Sequence, residues 1–243
     1  MMPTITINSI VASQQRLLNS HPINHCAFMT HWSSGQATKQ HFRQWLDVQL
    51  CASVSFGWVL KAVEGTLPKE LALADEFYRF AELASVEYWP LRAKGSHGEH
   101  FKALAQFMGF RIDLGAAFEA CPPAMLEWLE FRESLGPTFG PAAALLTLAA
   151  ANEVGNLTFF KTVRQALDVV PGLADCPPEY LDAHLEDEGP DAFVMVNLAQ
   201  LLTSQYTHEQ LKTLRQSTLR ATQQFLDLRA AALKELYESF ALA

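Results

Sequence analysis

Cysteine is scarce in this chain. Only four cysteines occur among 243 residues, they are widely scattered, and no two of them form a C-x-x-C pair. This spacing disfavours a disulfide framework and a zinc ribbon, and it favours a reducing, cytoplasmic location. An excess of positive charge is also missing, since 18 lysines and arginines stand against 26 aspartates and glutamates, for a net charge of −8. A sequence-independent nucleic-acid-binding surface is therefore not expected.

Long apolar runs are absent as well. The longest strongly apolar tract, residues 141–151, is shorter than the roughly 20 residues that a membrane-spanning helix needs. Residues 1–20 mix polar and apolar side chains and lack the continuous apolar core of a signal peptide. At the same time, 49% of the chain is apolar and only 18% is charged, a composition that excludes disorder. The sequence predicts a soluble globular protein without a membrane segment.

Strand signals are rare, and helical periodicity dominates. The chain contains no Asn-Gly or Asp-Gly hairpin signal, and glycines, prolines and capping residues separate its periodic stretches. These signals predict helices over residues 38–63, 68–93, 96–109, 113–121, 122–134, 141–171, 177–206 and 207–239. Because no repeat or linker interrupts the series, we expect one all-α domain over residues 1–243, folded as a helical bundle.

Two of the predicted apolar stripes contain a carboxylate. Glu87 interrupts a stripe made by Leu73, Phe77, Phe80, Ala84 and Leu91. Glu153 interrupts a second stripe, made by Leu146, Ala149, Leu157 and Phe160. A carboxylate in such a position is costly unless it is paired or bound to a metal. The alternative is a structural role, in which each carboxylate pairs with an arginine of the core or caps a neighbouring group.

A third stripe carries three ionisable side chains. His184, Glu188 and Asp191 have the i, i+4, i+7 spacing at which helical side chains converge. We expect His184 to be buried and to face Glu153 across a cavity. The alternative is that residues 186–188, Glu188 included, form a solvated acidic run.

Two histidines complete the polar set. His97 and His100 open the helix that Gly109 ends, and periodicity does not choose between them because each shares a stripe with apolar residues. Ferritin-like bundles hold two metals with four carboxylates and two histidines from facing helices. The chain contains the same set of ligand types. The carboxylates are Glu87, Glu153, Glu188 and Asp191, and the histidines are His184 and either His97 or His100.

Short motifs along nearly the whole chain resemble those of one known superfamily. They comprise His21-Pro22, Gly35, the segment 41–46, His97 followed twelve residues later by Gly109, Glu153, and the triplet of His184, Glu188 and Asp191. In these motifs the chain resembles the haem-oxygenase-like superfamily, in the branch that contains TenA, PqqC and the CADD-like di-iron oxidases. The resemblance implies a bundle of that fold, a homodimer, and a small-molecule substrate in a central cavity.

The resemblance also implies a metal centre. By its motifs, Glu87, His97, Glu153, His184, Glu188 and Asp191 would hold iron or manganese, and the first functional hypothesis is a non-haem oxidase. Two positions depart from the CADD-like pattern. Nine residues rather than six separate Glu87 from His97, and Asp191 replaces the last histidine of the closing His-x-x-x-Asp-x-x-His motif. No haem is expected, because a stripe broken by carboxylates is a poor haem wall.

The second hypothesis is a metal-free TenA-like or PqqC-like enzyme or a small-molecule-binding protein. TenA-type thiaminases use a Gln-Asp pair on the second long helix and a nucleophilic cysteine on the central helix. Here Asp47 and His100 are the weaker ligand-binding candidates, and residues 145–160 contain no cysteine. The third hypothesis is a non-catalytic partner module that keeps only the fold.

Overall fold

The chain folds into helices, as its periodicity predicts. The computed structural model describes residues 5–88 and 97–241, without the side chains of Tyr88 and His97. Over these two ranges the chain is helical and forms no strand. The prediction of an all-α helical bundle is therefore confirmed.

The helices follow the predicted punctuation closely. They are α1 (Ile7–Ser20), α2 (Ala27–Ser33), α3 (Lys39–Glu64), α4 (Asp75–Tyr88), α5 (His97–Met108), α6 (Leu114–Ala120), α7 (Pro123–Phe139), α8 (Pro141–Thr147), α9 (Gly155–Val169), α10 (Glu179–Leu202) and α11 (His208–Phe240). Short 3₁₀ turns lie at Pro22–His25 and Lys69–Leu71, and a π-helical segment, Leu148–Val154, joins α8 to α9.

Capping residues fix several of these helix ends. The predicted capping box of Thr207 and Gln210 starts α11, and an equivalent box of Thr38 and His41 starts α3. Gly109 ends α5 with a φ of 65°, a left-handed conformation that glycine adopts without steric cost. The predicted cap of α5, Ser96, lies outside the described residues.

The segment after Pro68 differs from the prediction. The expected helix from residue 68 begins only at Asp75, since Lys69–Leu71 forms a 3₁₀ turn and the acidic Asp75 and Glu76 favour a helix start at that point. Leu73 therefore precedes the helix and is 86% exposed, so its assignment to the core stripe is wrong. Phe80 and Ala84 on the same predicted stripe are buried.

The helix predicted over residues 141–171 lies at the centre of the bundle. Every residue from Ala142 to Glu153 is buried, which is typical of a core helix that is apolar on all sides. It packs against α10 and α11, while α3 packs on α4 and α7. Periodicity predicts one α-helix here, but the structure widens it into the π-helical segment, and Glu153 lies within this segment. Single π turns inside α-helices are frequent at functional sites.

Two described helical stretches are long and apolar enough to cross a membrane, Lys39–Glu64 and Pro141–Val169. Their most apolar windows are 61% and 72% buried inside the bundle. Burial of this extent is typical of the core helices of a soluble protein, which pass the same test of length and composition.

Candidate functional site

A cavity lies between α3, α4, α7, α10, α11 and the central helix. It offers about 70 Å³ in which the centre of a water molecule can lie, enough for several waters or for part of a small organic molecule. Aromatic side chains form much of its wall, namely Trp45, Phe56, Trp128, Phe159 and Phe160. The polar side chains on the same wall are Gln49, Ser53, Glu87, Arg132, Asn152, Glu153, Asn156, His184, Glu188, Asp191 and Arg229.

Two buried carboxyl groups meet in this cavity. Glu153 from the π-helical segment is 2% exposed, Glu188 from α10 is 3% exposed, and their side chains are hydrogen-bonded to each other. Burial and the neighbouring charge of Glu188 raise the pKa of Glu153 well above its ordinary range. Burial raises the pKa of Glu188 to about 7, against the hydrogen bonds from Glu153 and Asn156. The two carboxyl groups therefore retain a proton more readily than two separate glutamates would, and this proton belongs to the pair.

His184 is held against this pair by α10 itself. Its Nδ1 lies 2.9 Å from Glu188 Oε1, one helical turn further along, so an N–H at that atom donates to the carboxyl oxygen. The imidazole stacks on Phe160, with ring centroids 4.0 Å apart and planes 4° apart, and Tyr180 contacts it edge-on. The ring is therefore fixed in orientation, and its side chain is 13% exposed.

A hydrogen-bond chain links the carboxyl pair to α11. Asn156 donates from Nδ2 to Glu188 at 3.3 Å, and Arg229 donates from Nη2 to Asn156 Oδ1 at 2.7 Å. Arg229 also donates to the carbonyl oxygen of Ala151 in the π-helical segment, at 3.4 Å. Asn152 donates to Glu153 Oε1 at 3.0 Å. These contacts hold both carboxyl groups in place.

Two arginines on the cavity wall are missing from the sequence-based prediction. Arg132 is 2% exposed and Arg229 is 6% exposed. Burial, followed by repulsion from Arg229, lowers the pKa of Arg132 to about 9, and burial lowers that of Arg229 to about 10. Both therefore stay charged near neutral pH. The criterion applied to the glutamates would have found them, since Arg132 follows Trp128 by four residues, and Arg229 follows Phe225 in the same way.

The structure brings five of the six predicted metal ligands to one cavity: Glu87, Glu153, His184, Glu188 and Asp191. The sixth, His97, has a side chain outside the described residues. Glu188 does not belong to a solvated acidic run, because Glu186 and Asp187 are exposed while Glu188 is buried. The expectation that His184 faces Glu153 takes a modified form, in which both contact Glu188 from different sides.

The two weaker candidates do not line this cavity. Asp47 is half-buried on α3, and burial raises its pKa, partly offset by Arg43. His100 lies half-buried on α5. Helical periodicity places both on partly apolar faces, but it does not say which face meets a cavity and which meets another helix.

The arrangement of the carboxyl and imidazole groups on the cavity wall does not suit a bound metal ion. Within residues 5–88 and 97–241, no three His, Cys, Asp or Glu side chains are grouped so that they could hold a metal ion. The reason is visible in the contacts, since a proton joins Glu153 to Glu188 and amide groups occupy further oxygens of both. Two guanidinium groups on the same wall add positive charge where a second cation would have to bind.

Comparison with known proteins identifies the fold. No protein-family model matches the chain, and no curated protein matches it in sequence. The crystal structure of a TenA homolog from Pseudomonas syringae pv. tomato str. DC3000 superposes on 97% of this chain and 94% of its own, with a TM-score of 0.70 and 9% sequence identity. The fold is TenA-like. This confirms the predicted resemblance to TenA at the level of fold. At this identity, the TenA-like architecture is what the two chains share, and the chemistry has to be argued from the cavity.

Proposed function

We propose that this TenA-like protein binds a small organic molecule in the central cavity and exchanges a proton with it through the Glu153–Glu188 pair, without a metal. The observation that carries the proposal is the hydrogen bond between two carboxyl groups that are both almost fully buried and both on the cavity wall. A pair of carboxyl groups that shares a proton offers an acid and a base at one place.

Each neighbour has a part in this arrangement. Glu153 holds the proton, and Glu188 accepts the hydrogen bond as a carboxylate. His184 and Asn156 fix the orientation of Glu188 through 2.9 Å and 3.3 Å contacts. The aromatic side chains of the wall provide a surrounding of low polarity, which strengthens the electrostatic interaction of these groups with a bound molecule.

Infrared spectroscopy tests the proton of this pair directly. At pH 7, exposed carboxyl groups are ionised, so a protonated carboxyl C=O stretch from the folded protein reports a buried acid. We expect this band in the wild type and a weaker band in Glu153→Gln, because Glu188, with a pKa of about 7, keeps part of its own proton at this pH. The exposed Glu130 gives the matched control, and Glu130→Gln should keep the band. A wild-type spectrum without a protonated carboxyl group would refute the proposal.

Binding is tested by thermal unfolding with a panel of small aromatic molecules, both neutral ones and acids. A molecule that binds the native state raises the melting temperature with its concentration. We expect stabilising compounds whose effect is lost in Glu153→Gln but kept in Glu130→Gln. Stabilisation that is equal in both variants would move binding away from the carboxyl pair and contradict the proposal.

A metal-dependent oxidase is the second candidate, and a specific observation favours it. Glu87, Glu153, His184, Glu188 and Asp191 line one cavity, and carboxylate and imidazole donors suit iron or manganese. Metal content of protein purified without chelator distinguishes the two candidates. Iron or manganese bound by the wild type and lost in Glu153→Ala would favour the oxidase over the metal-free function.

Homodimerisation and a cytoplasmic location stay predictions. Light scattering at micromolar concentration measures the first, and the mass of a single chain, 27.1 kDa, would contradict it.

A further inference from the structure

Two residues that line the cavity carry a buried donor without an acceptor. Arg132 Nε and Trp128 Nε1, from side chains one turn apart on α7, make no hydrogen bond to any residue in the described part of the chain. Trp128 is 4% exposed and Arg132 is 2% exposed. Native proteins keep few buried polar atoms in this state, and each one requires an explanation.

The Arg132 guanidinium group is held rigidly beside the cavity. Its Nη1 donates to the carbonyl oxygen of Ala52 at 3.2 Å. Its central carbon lies 4.6 Å from the ring centroid of Trp128 and 5.2 Å from that of Phe56. A guanidinium group fixed in this way loses little further freedom when it binds a ligand.

The buried charges of the cavity do not balance. No carboxylate of the described chain lies within 4.0 Å of a guanidinium nitrogen of Arg132 or Arg229. Glu153 and Glu188 share a proton and so carry one negative charge against the two positive ones. The remaining carboxylates of the wall, Glu87 and Asp191, are only partly buried. The buried part of the site therefore has an excess of positive charge.

We infer that the ligand of this cavity carries a carboxylate, which binds to Arg132 and to the indole N–H of Trp128. A carboxylate supplies acceptors to both donors at once, and its planar shape suits a guanidinium group. The aromatic side chains of the wall would hold the apolar part of the same molecule. This inference deepens the proposed function and rests on it, since it names the class of molecule on which the carboxyl pair would act.

Benzoate and benzamide form the test pair, because they have nearly the same shape and differ in charge. Their dissociation constants are measured by calorimetry, at matched sodium concentration, for three proteins. These are the wild type, Trp128→Phe, and the control Trp32→Phe. Trp32 also has a buried indole N–H without an acceptor among the described residues, and it lies outside the cavity wall. Trp128→Phe keeps an aromatic ring in place and removes only the donor.

We expect the wild type to bind benzoate more tightly than benzamide. Trp128→Phe should weaken benzoate binding by about tenfold or more, the effect of losing one hydrogen bond to a charged group, and Trp32→Phe should leave it unchanged. Equal affinity for the two compounds, no binding of benzoate, or an unaltered constant in Trp128→Phe would each overturn the inference. None of these results alters the infrared signal of Glu153, so the proposed function stands or falls separately.

Discussion

The substitution Glu188→Gln should reduce the dependence of stability on pH. Burial raises the pKa of Glu188 from 4.5 to about 7, so between these values the folded chain binds more protons than the unfolded chain. The contribution of Glu188 to the free energy of unfolding must then fall as pH rises through this window and level off above it. A difference of 2.5 between the two pKa values corresponds to about 3 kcal/mol. A typical domain has a total stability of about 5–15 kcal/mol, so this loss is measurable.

Glu153 changes stability in the same direction, because its pKa is also raised. In Glu188→Gln the charge of Glu188 no longer raises the pKa of Glu153. The pH dependence of stability should therefore decrease in the variant by at least the contribution of Glu188. Glutamine keeps an amide oxygen that accepts hydrogen bonds from His184 and Asn156, and the packing should therefore survive.

Urea unfolding at pH 5, 6, 7 and 8, followed by circular dichroism, measures this prediction. The wild type should lose about 2.5 kcal/mol more than Glu188→Gln between the two ends of the series, because the pH 5 end already lies above the unfolded pKa. Other groups titrate in this range, among them His31 and His41 with lowered pKa values, but they cancel in the difference between two proteins. Glu130→Gln, at an exposed position on α7, should follow the wild type. Parallel pH profiles of wild type and Glu188→Gln would refute the reasoning.

Three further substitutions test particular contacts. Asn156→Ala removes a hydrogen bond that lowers the pKa of Glu188, so this variant should lose more stability above pH 7 than the wild type does; equal losses in that range would contradict the assigned contact. Gly140 has a φ of 82° and a ψ of 160° between α7 and α8, a conformation nearly restricted to glycine, so Gly140→Ala should cost about 1–3 kcal/mol in urea unfolding. Gly189 lies inside α10 directly before Pro190, and nothing beyond its chain neighbours lies within 4 Å of an added Cβ. The proline ring crowds that Cβ, so Gly189→Ala should stabilise the protein by less than the gain of about 0.5–1 kcal/mol at an ordinary helical glycine. A gain larger than that range would contradict this reasoning.

Local chemistry explains which helix ends could be predicted. The capping box of Thr207 and Gln210 acts through neighbouring backbone groups, and so does Gly109. Their effects can therefore be predicted without knowledge of the tertiary fold. The start of α4 was predicted too early because Pro68 begins a 3₁₀ turn as readily as an α-helix. Leu73 fits the helical periodicity of the sequence, but it precedes the helix in the structure and is exposed.

The candidate site was predicted only in part, for a physical reason. A carboxylate on an apolar stripe signals burial, and Glu153 and Glu188 are buried as that signal predicts. The sequence does not say what meets them, since the contact between the two depends on how α10 packs against the central helix. Arg132 and Arg229 gave the same stripe signal, but a long cationic side chain is usually taken to extend to solvent.

The π-helical segment makes the site sensitive to chain length rather than to composition. Successive residues of an α-helix are rotated by about 100° around its axis, and a π turn accommodates an extra residue within that spiral. Because the π turn takes up one residue, α9 and Asn156 have the orientation that a regular helix shorter by one residue would give them. Glu153, inside the segment, lies off that regular spiral. Removing the residue after it, Val154, would therefore keep the hydrophobic core and α9 in place, yet it would turn Glu153 away from Glu188 and leave no carboxyl pair.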